Sequence, residues 1–103
     1  MTNKQKFTIT RHIHSEIYHL EEVEGKPVKI DSCPQHDFFI HKEGRFWKVS
    51  EVKSGRHVGT GKTQKEAIET TNNRLSVIRK EKIAEAIELG IADRRKALLG
   101  DLA

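Results

Sequence analysis

Apolar residues along this chain follow two rhythms. Up to about residue 62 they alternate with polar ones or come in short runs, and from Thr63 onward they recur at helical intervals. Phe7, Ile9, Arg11 and Ile13 share one parity with Thr8 and Thr10 between them, which predicts a strand. His14 and Ser15 interrupt it, and residues 17–23 predict a second strand with Tyr18 and Leu20 on one parity. Glu24-Gly25-Lys26 reads as a turn, and Pro27 argues against a long strand through that point. Residues 28–30 fit a short further strand, and residues 31–35 a loop punctuated by Pro34. Next comes the run Phe38-Phe39-Ile40, then a turn at Lys42-Glu43-Gly44. Residues 45–52 predict a strand carrying Phe46, Trp47, Val49 and Val52, a second turn falls at Lys53-Ser54-Gly55, and residues 56–59 centre a short strand on Val58. Three-residue turns containing glycine favour antiparallel neighbours, so this stretch predicts a three-stranded meander.

The second rhythm opens with Thr63-Gln64-Lys65-Glu66, a capping box. The Thr63 hydroxyl is expected to accept from the amide three residues on, and Glu66 to reach back to the Thr63 amide. Ala67, Ile68, Thr71, Leu75 and Ile78 line one helical face. Beyond Ile78 the stripe changes phase to Ile83, Ile87 and Ile91, so the helix bends near Lys80 or a new one begins there. Gly90 is a plausible stop, followed by a short helix over residues 91–99 and an end at Gly100. The expected class is α+β. An N-terminal β-hairpin precedes the three-stranded antiparallel meander, a long C-terminal helix packs on the sheet, and a short terminal helix closes the chain. One domain spans residues 1–103, β-rich over 7–62 and helical over 63–99. Trp47, or Phe46 by register, is expected to face the helix with Val49, Ile68, Leu75 and Ile78.

Charge changes the picture more than size does. With 35% hydrophobic and 33% charged residues, a lean core sits inside a heavily solvated surface. Nineteen basic residues against fifteen acidic ones leave a net charge of +4, which favours polyanionic partners. A single cysteine, Cys33, builds no internal disulfide framework and points to a reducing, cytoplasmic setting. No apolar run approaches the ~18–20 residues a membrane crossing needs.

Several motifs invite chemistry. Gly59-Thr60-Gly61-Lys62-Thr63 looks like the end of a phosphate-binding loop, but that loop needs a glycine at position 56, where Arg56 stands. The glycines are better read as the strand-to-helix turn, with Thr63 as the cap. A weaker form of the same physics survives, because a helix N-terminus flanked by Lys62 and Lys65 suits a phosphate contact. Cys33-x-x-His36 with His12 and His14 has zinc-like spacing, yet no second cysteine supports it, so no metal and no cofactor is expected. Glu21, Glu22 and Glu24 cluster without a base or nucleophile to work with, and no catalytic constellation emerges. An enzyme is not expected.

Residues 44–75 resemble the C-terminal half of a double-stranded-RNA-binding domain. That family runs through a three-stranded meander into a turn of the form Gly-x-Gly-x-Ser-Lys-Lys-x-Ala-Lys, and here Gly59, Gly61, Thr63, Lys65 and Ala67 match it. Gln64 and Ile68 stand where the family has lysines, Thr71 and Asn72 replace its paired alanines, and its N-terminal helix gives way to predicted strands. The same strand-strand-strand-helix order resembles the arm-type DNA-binding domains of phage integrases. The first resemblance implies lysines at the helix start touching duplex phosphates and the second a sheet set in the major groove, and the expected function is a small nucleic-acid-binding accessory protein of phage or mobile-element type. The candidate contacts are Lys48, Arg56, Lys62, Lys65, Arg74 and Arg79, with Lys80 beside them. The alternative is a protein-interaction module. In that reading Ile83, Ile87, Ile91, Leu98 and Leu99 miss the core and mediate a homodimer, whereas the competing outcome folds that stripe back over the N-terminal strands.

Overall fold

The computed structural model describes residues 4–14 and 17–102, with side chains omitted at 12–14, 17–18 and 100–102. The chain is α+β. Five antiparallel strands run in sequence order, β1 Gln5–His14, β2 Ile17–Val28, β3 Phe38–Glu43, β4 Phe46–Glu51 and β5 His57–Gly61. Two helices follow, α1 Gln64–Ser76 and α2 Lys80–Leu102. The side chains of His12 and His14, two of the residues with zinc-like spacing, lie outside the described set, as do residues 15 and 16 altogether.

Contrary to the expected turn at residues 24–26, β2 is a long strand that serves two neighbours. It pairs with β1 back to Gln5↔Gly25, and with β3 only through Lys26, Pro27 and Val28. Pro27 therefore lies beyond the last β1 partner, an edge-like place where its missing N–H is tolerated. Gly25 marks the corner, since a Cβ there would stand 2.5 Å from the Ile40 carbonyl oxygen. Strands that switch partners at such a bend let one part of a sheet fold across another. Of the expected short strand at residues 28–30 only Val28 is strand, as the end of β2, and Ile30 is instead buried in the core.

The inner strands have two occupied faces. Phe38, Ile40 and Val49 pack with Ala67, Leu75, Ile83 and Ile87 of the helices, and Trp47 and Ile68 border them. Trp47 thus takes the helix side, while Phe46 is 43% exposed. On the opposite face, Phe39 stacks on Phe7 of β1 with ring centroids 4.3 Å apart. Thr10 anchors β1 there, its amide donating to the Gly55 carbonyl at 2.9 Å and its hydroxyl to the Ser54 carbonyl at 2.8 Å. Gly55 meets two demands at once. Its φ is +68°, and a Cβ would stand 2.6 Å from the Thr8 carbonyl oxygen. The Glu51 carboxylate steadies the same turn by accepting from the Lys53 and Ser54 amides at 2.7 and 2.8 Å.

The helical part departs from expectation at its end. The chain breaks between Ser76 and Lys80, and α2 then runs unbroken through Gly90. Gly90 is needed for proximity and does not stop the helix, because a Cβ there would lie 2.5 Å from Ser54 Cβ. Ile83 and Ile87 are buried, and Ile91 packs against the core. The phase change in the stripe reflects a new helix axis, so most of the stripe joins the main core. Among the described residues, no helix is long and apolar enough to cross a membrane.

Candidate functional site

The Gly-x-Gly segment before α1 is strand, and its glycines exist for packing. A Cβ on Gly59 would collide with Thr71 Oγ1, and one on Gly61 with the Ala67 amide nitrogen. This is how α1 approaches β5 closely enough to bury Ala67 and Thr71. Thr63 has extended backbone angles, and its hydroxyl accepts from the Glu66 amide at 3.1 Å, as the capping box predicts. The return arm shifts by one residue: the Glu66 carboxylate accepts from the Lys62 amide at 3.3 Å in place of the Thr63 amide. An acid thus sits at the amide end of α1, with the exposed Lys62 and Lys65 on either side of the cap.

The six basic candidates separate into two groups. Lys48 faces the β1 side of the sheet and pairs with Glu43. Arg56 pairs with Asp93 and holds α2 against β5. Arg74 donates to the Val58 carbonyl at 2.6 Å. Those three have structural partners. Lys62, Lys65 and Arg79 are exposed and make none of the ion pairs found among the described residues, and Lys80 is likewise exposed. Lys62 and Lys65 flank the start of α1, while Arg79 and Lys80 follow its end, roughly 20 Å away at 1.5 Å per residue.

A second constellation lies on the other face of the inner sheet. Arg11 of β1 pairs with Glu21 of β2 and Glu43 of β3, and Glu43 also pairs with Lys48. Lys48 and then Arg11 hold the Glu43 carboxyl down at about 2. Beneath them His41 is 3% exposed, and burial lowers its pKa. His57 Nε2 lies 3.1 Å from the Gly59 carbonyl oxygen. The sequence reading missed this cluster. Its one visible signal was Arg11, a charge sharing parity with Phe7 and Ile9.

Cys33 is a core residue, fully buried, and burial raises its thiol pKa. No group of three or more His, Cys, Asp or Glu side chains is placed to hold a metal among the described residues. No protein-family model, curated protein or solved structure matches the chain.

Proposed function

We propose that the protein is a non-catalytic nucleic-acid-binding module that lays the exposed side of α1 along a duplex. The observation that carries this reading is the pair of uncommitted basic clusters at the two ends of α1, Lys62 with Lys65 and Arg79 with Lys80. Lysine and arginine side chains without carboxylate partners release condensed counterions when they meet phosphates, which supplies most sequence-independent affinity. Their separation exceeds the ~12 Å width of a B-form major groove, so the two ends suit phosphates on either side of one groove. Between them the exposed Thr70 and Asn73 offer neutral hydrogen-bonding groups. Glu69 is exposed on the same helix and opposes phosphate. A net charge of +4 and the resemblance of residues 44–75 to duplex-binding domains support the same assignment. A phage or mobile-element accessory role accords with it.

The self-association alternative has less to stand on. Ile83 and Ile87 are buried and Ile91 packs against the core, so of the stripe only Leu98 and Leu99 are left exposed.

Fluorescence anisotropy with labelled duplex DNA, duplex RNA and single strands tests the proposal. Duplex binding should weaken in both the Lys62→Glu/Lys65→Glu and the Arg79→Glu/Lys80→Glu variants, and tighten in Glu69→Gln. Equal affinity across all of these proteins would refute the α1 surface as the contact.

A further inference from the structure

Where β1 crosses the inner sheet it leaves a cavity of about 310 Å3 on the face opposite the helices. The lining includes Ile9, Arg11, His41, Glu43, Lys48 and Ser50. Ile9, His41 and Ser50 are buried and form its floor, whereas Arg11, Glu43 and Lys48 are partly exposed at its mouth. The volume falls at the low end for ligand sites, room for a molecule of metabolite size.

Three features select the guest. His41 lies at 3% exposure, and neither ring nitrogen has a hydrogen-bond partner. Buried polar atoms are nearly always paired with protein, water or ligand, so an imidazole with both nitrogens idle beside a cavity marks a place for a partner. Burial favours the neutral ring, which needs one acceptor and one donor to be satisfied. Arg11 and Lys48 balance Glu43 and Glu21 in charge, so it is unused donors on the two cations that favour an anion. Arg11 uses Nε on Glu21 and Nη2 on Glu43, and a guanidinium carries five N–H groups. Lys48 has three, and its one ion pair is to Glu43.

The geometry points to a binding site for a small oxyanion, such as a phosphate group or a carboxylic acid. The oxyanion sits between Arg11 and Lys48 at the mouth and accepts from one ring nitrogen of His41 below. This site is separate from the α1 surface, and either can fail without the other.

Long-range 1H–15N spectra of the histidine rings in the full chain test it, with inorganic phosphate and lactate as probes at pH 7. Sodium chloride at matched ionic strength is the control. Saturable shifts at the His41 ring nitrogens with either probe are expected, and the probe that works identifies phosphate or carboxylate as the source. Lys48→Gln, at a partly exposed position, should weaken that binding by about tenfold, the effect of one lost charge-assisted contact. If neither probe moves the His41 signals more than chloride does, or if Lys48→Gln binds like the parent, the assignment is wrong.

Discussion

Replacing Gly59 by alanine separates a packing glycine from a phosphate-loop glycine. The new Cβ would collide with Thr71 Oγ1 and stand 3.0 and 3.1 Å from the Thr71 amide nitrogen and Cα. Thr71 has no room to yield. It is fully buried, and its hydroxyl donates to the Ala67 carbonyl at 2.8 Å. Either that hydrogen bond breaks, at about 1 kcal/mol, or α1 moves off β5. Overpacking of this kind costs about 1–3 kcal/mol, and the stiffer unfolded chain returns only about 0.4–1 kcal/mol. For a domain near 100 residues each kcal/mol is about 4–8 °C, so a central net cost of about 1.3 kcal/mol should lower the melting temperature by roughly 5–10 °C. Calorimetry on the parent, Gly59→Ala, Thr71→Ala and the double variant provides the assay. The double variant should be less destabilised than the sum of the singles, because removing Oγ1 relieves the worst contact. A Gly59→Ala protein melting within a degree or two of the parent would refute the packing argument. So would unchanged stability together with lost nucleotide binding, the signature of a phosphate loop.

Other expectations follow from the same structure. Glu43 titrates near 2 folded, against an ordinary 4.5, so its contribution is complete above pH 4.5 and is lost as pH falls toward 2. The full shift caps that contribution at about 3 kcal/mol, and with the pair about 30% exposed, solvent screening brings it to about 1–2 kcal/mol. Urea unfolding from pH 6 to pH 2 should therefore show the parent and Glu43→Gln converging as pH falls; parallel curves would contradict the ion-pair network. Ile87→Ala should cost about 2–5 kcal/mol, and Leu89→Ala, at a 63% exposed site, within about 0.5 kcal/mol, both read from urea midpoints. Equal losses would mean that α2 does not dock through Ile87.

What was legible in the sequence was local. The Thr63 cap and the turns at Gly44 and Gly55 depend on residues a few positions apart, and both glycines have positive φ. The inner meander followed from those turns. The course of β1 did not, because it depends on contacts between residues about 45 positions apart, Thr10 with Ser54 and Gly55. The charge cluster was hidden for the same reason: Arg11 and Glu43 meet only when β2 turns its corner at Gly25. Gly90 and Gly59 misled because glycine serves both turns and close approach, and sequence alone does not separate the two. Basic residues were easy to nominate but hard to sort, since Arg56 and Lys48 find their carboxylates only in three dimensions.

The salt dependence of duplex binding tests the α1 assignment most directly. Four phosphate contacts, from Lys62, Lys65, Arg79 and Lys80, predict a slope of about −3.6 in log affinity against log salt, or roughly a 150-fold loss between about 50 and 200 mM. In Lys62→Gln/Lys65→Gln the slope should fall to about −1.8, with weaker binding at every salt concentration. No duplex binding at low salt, or a slope identical in parent and variant, would contradict the account.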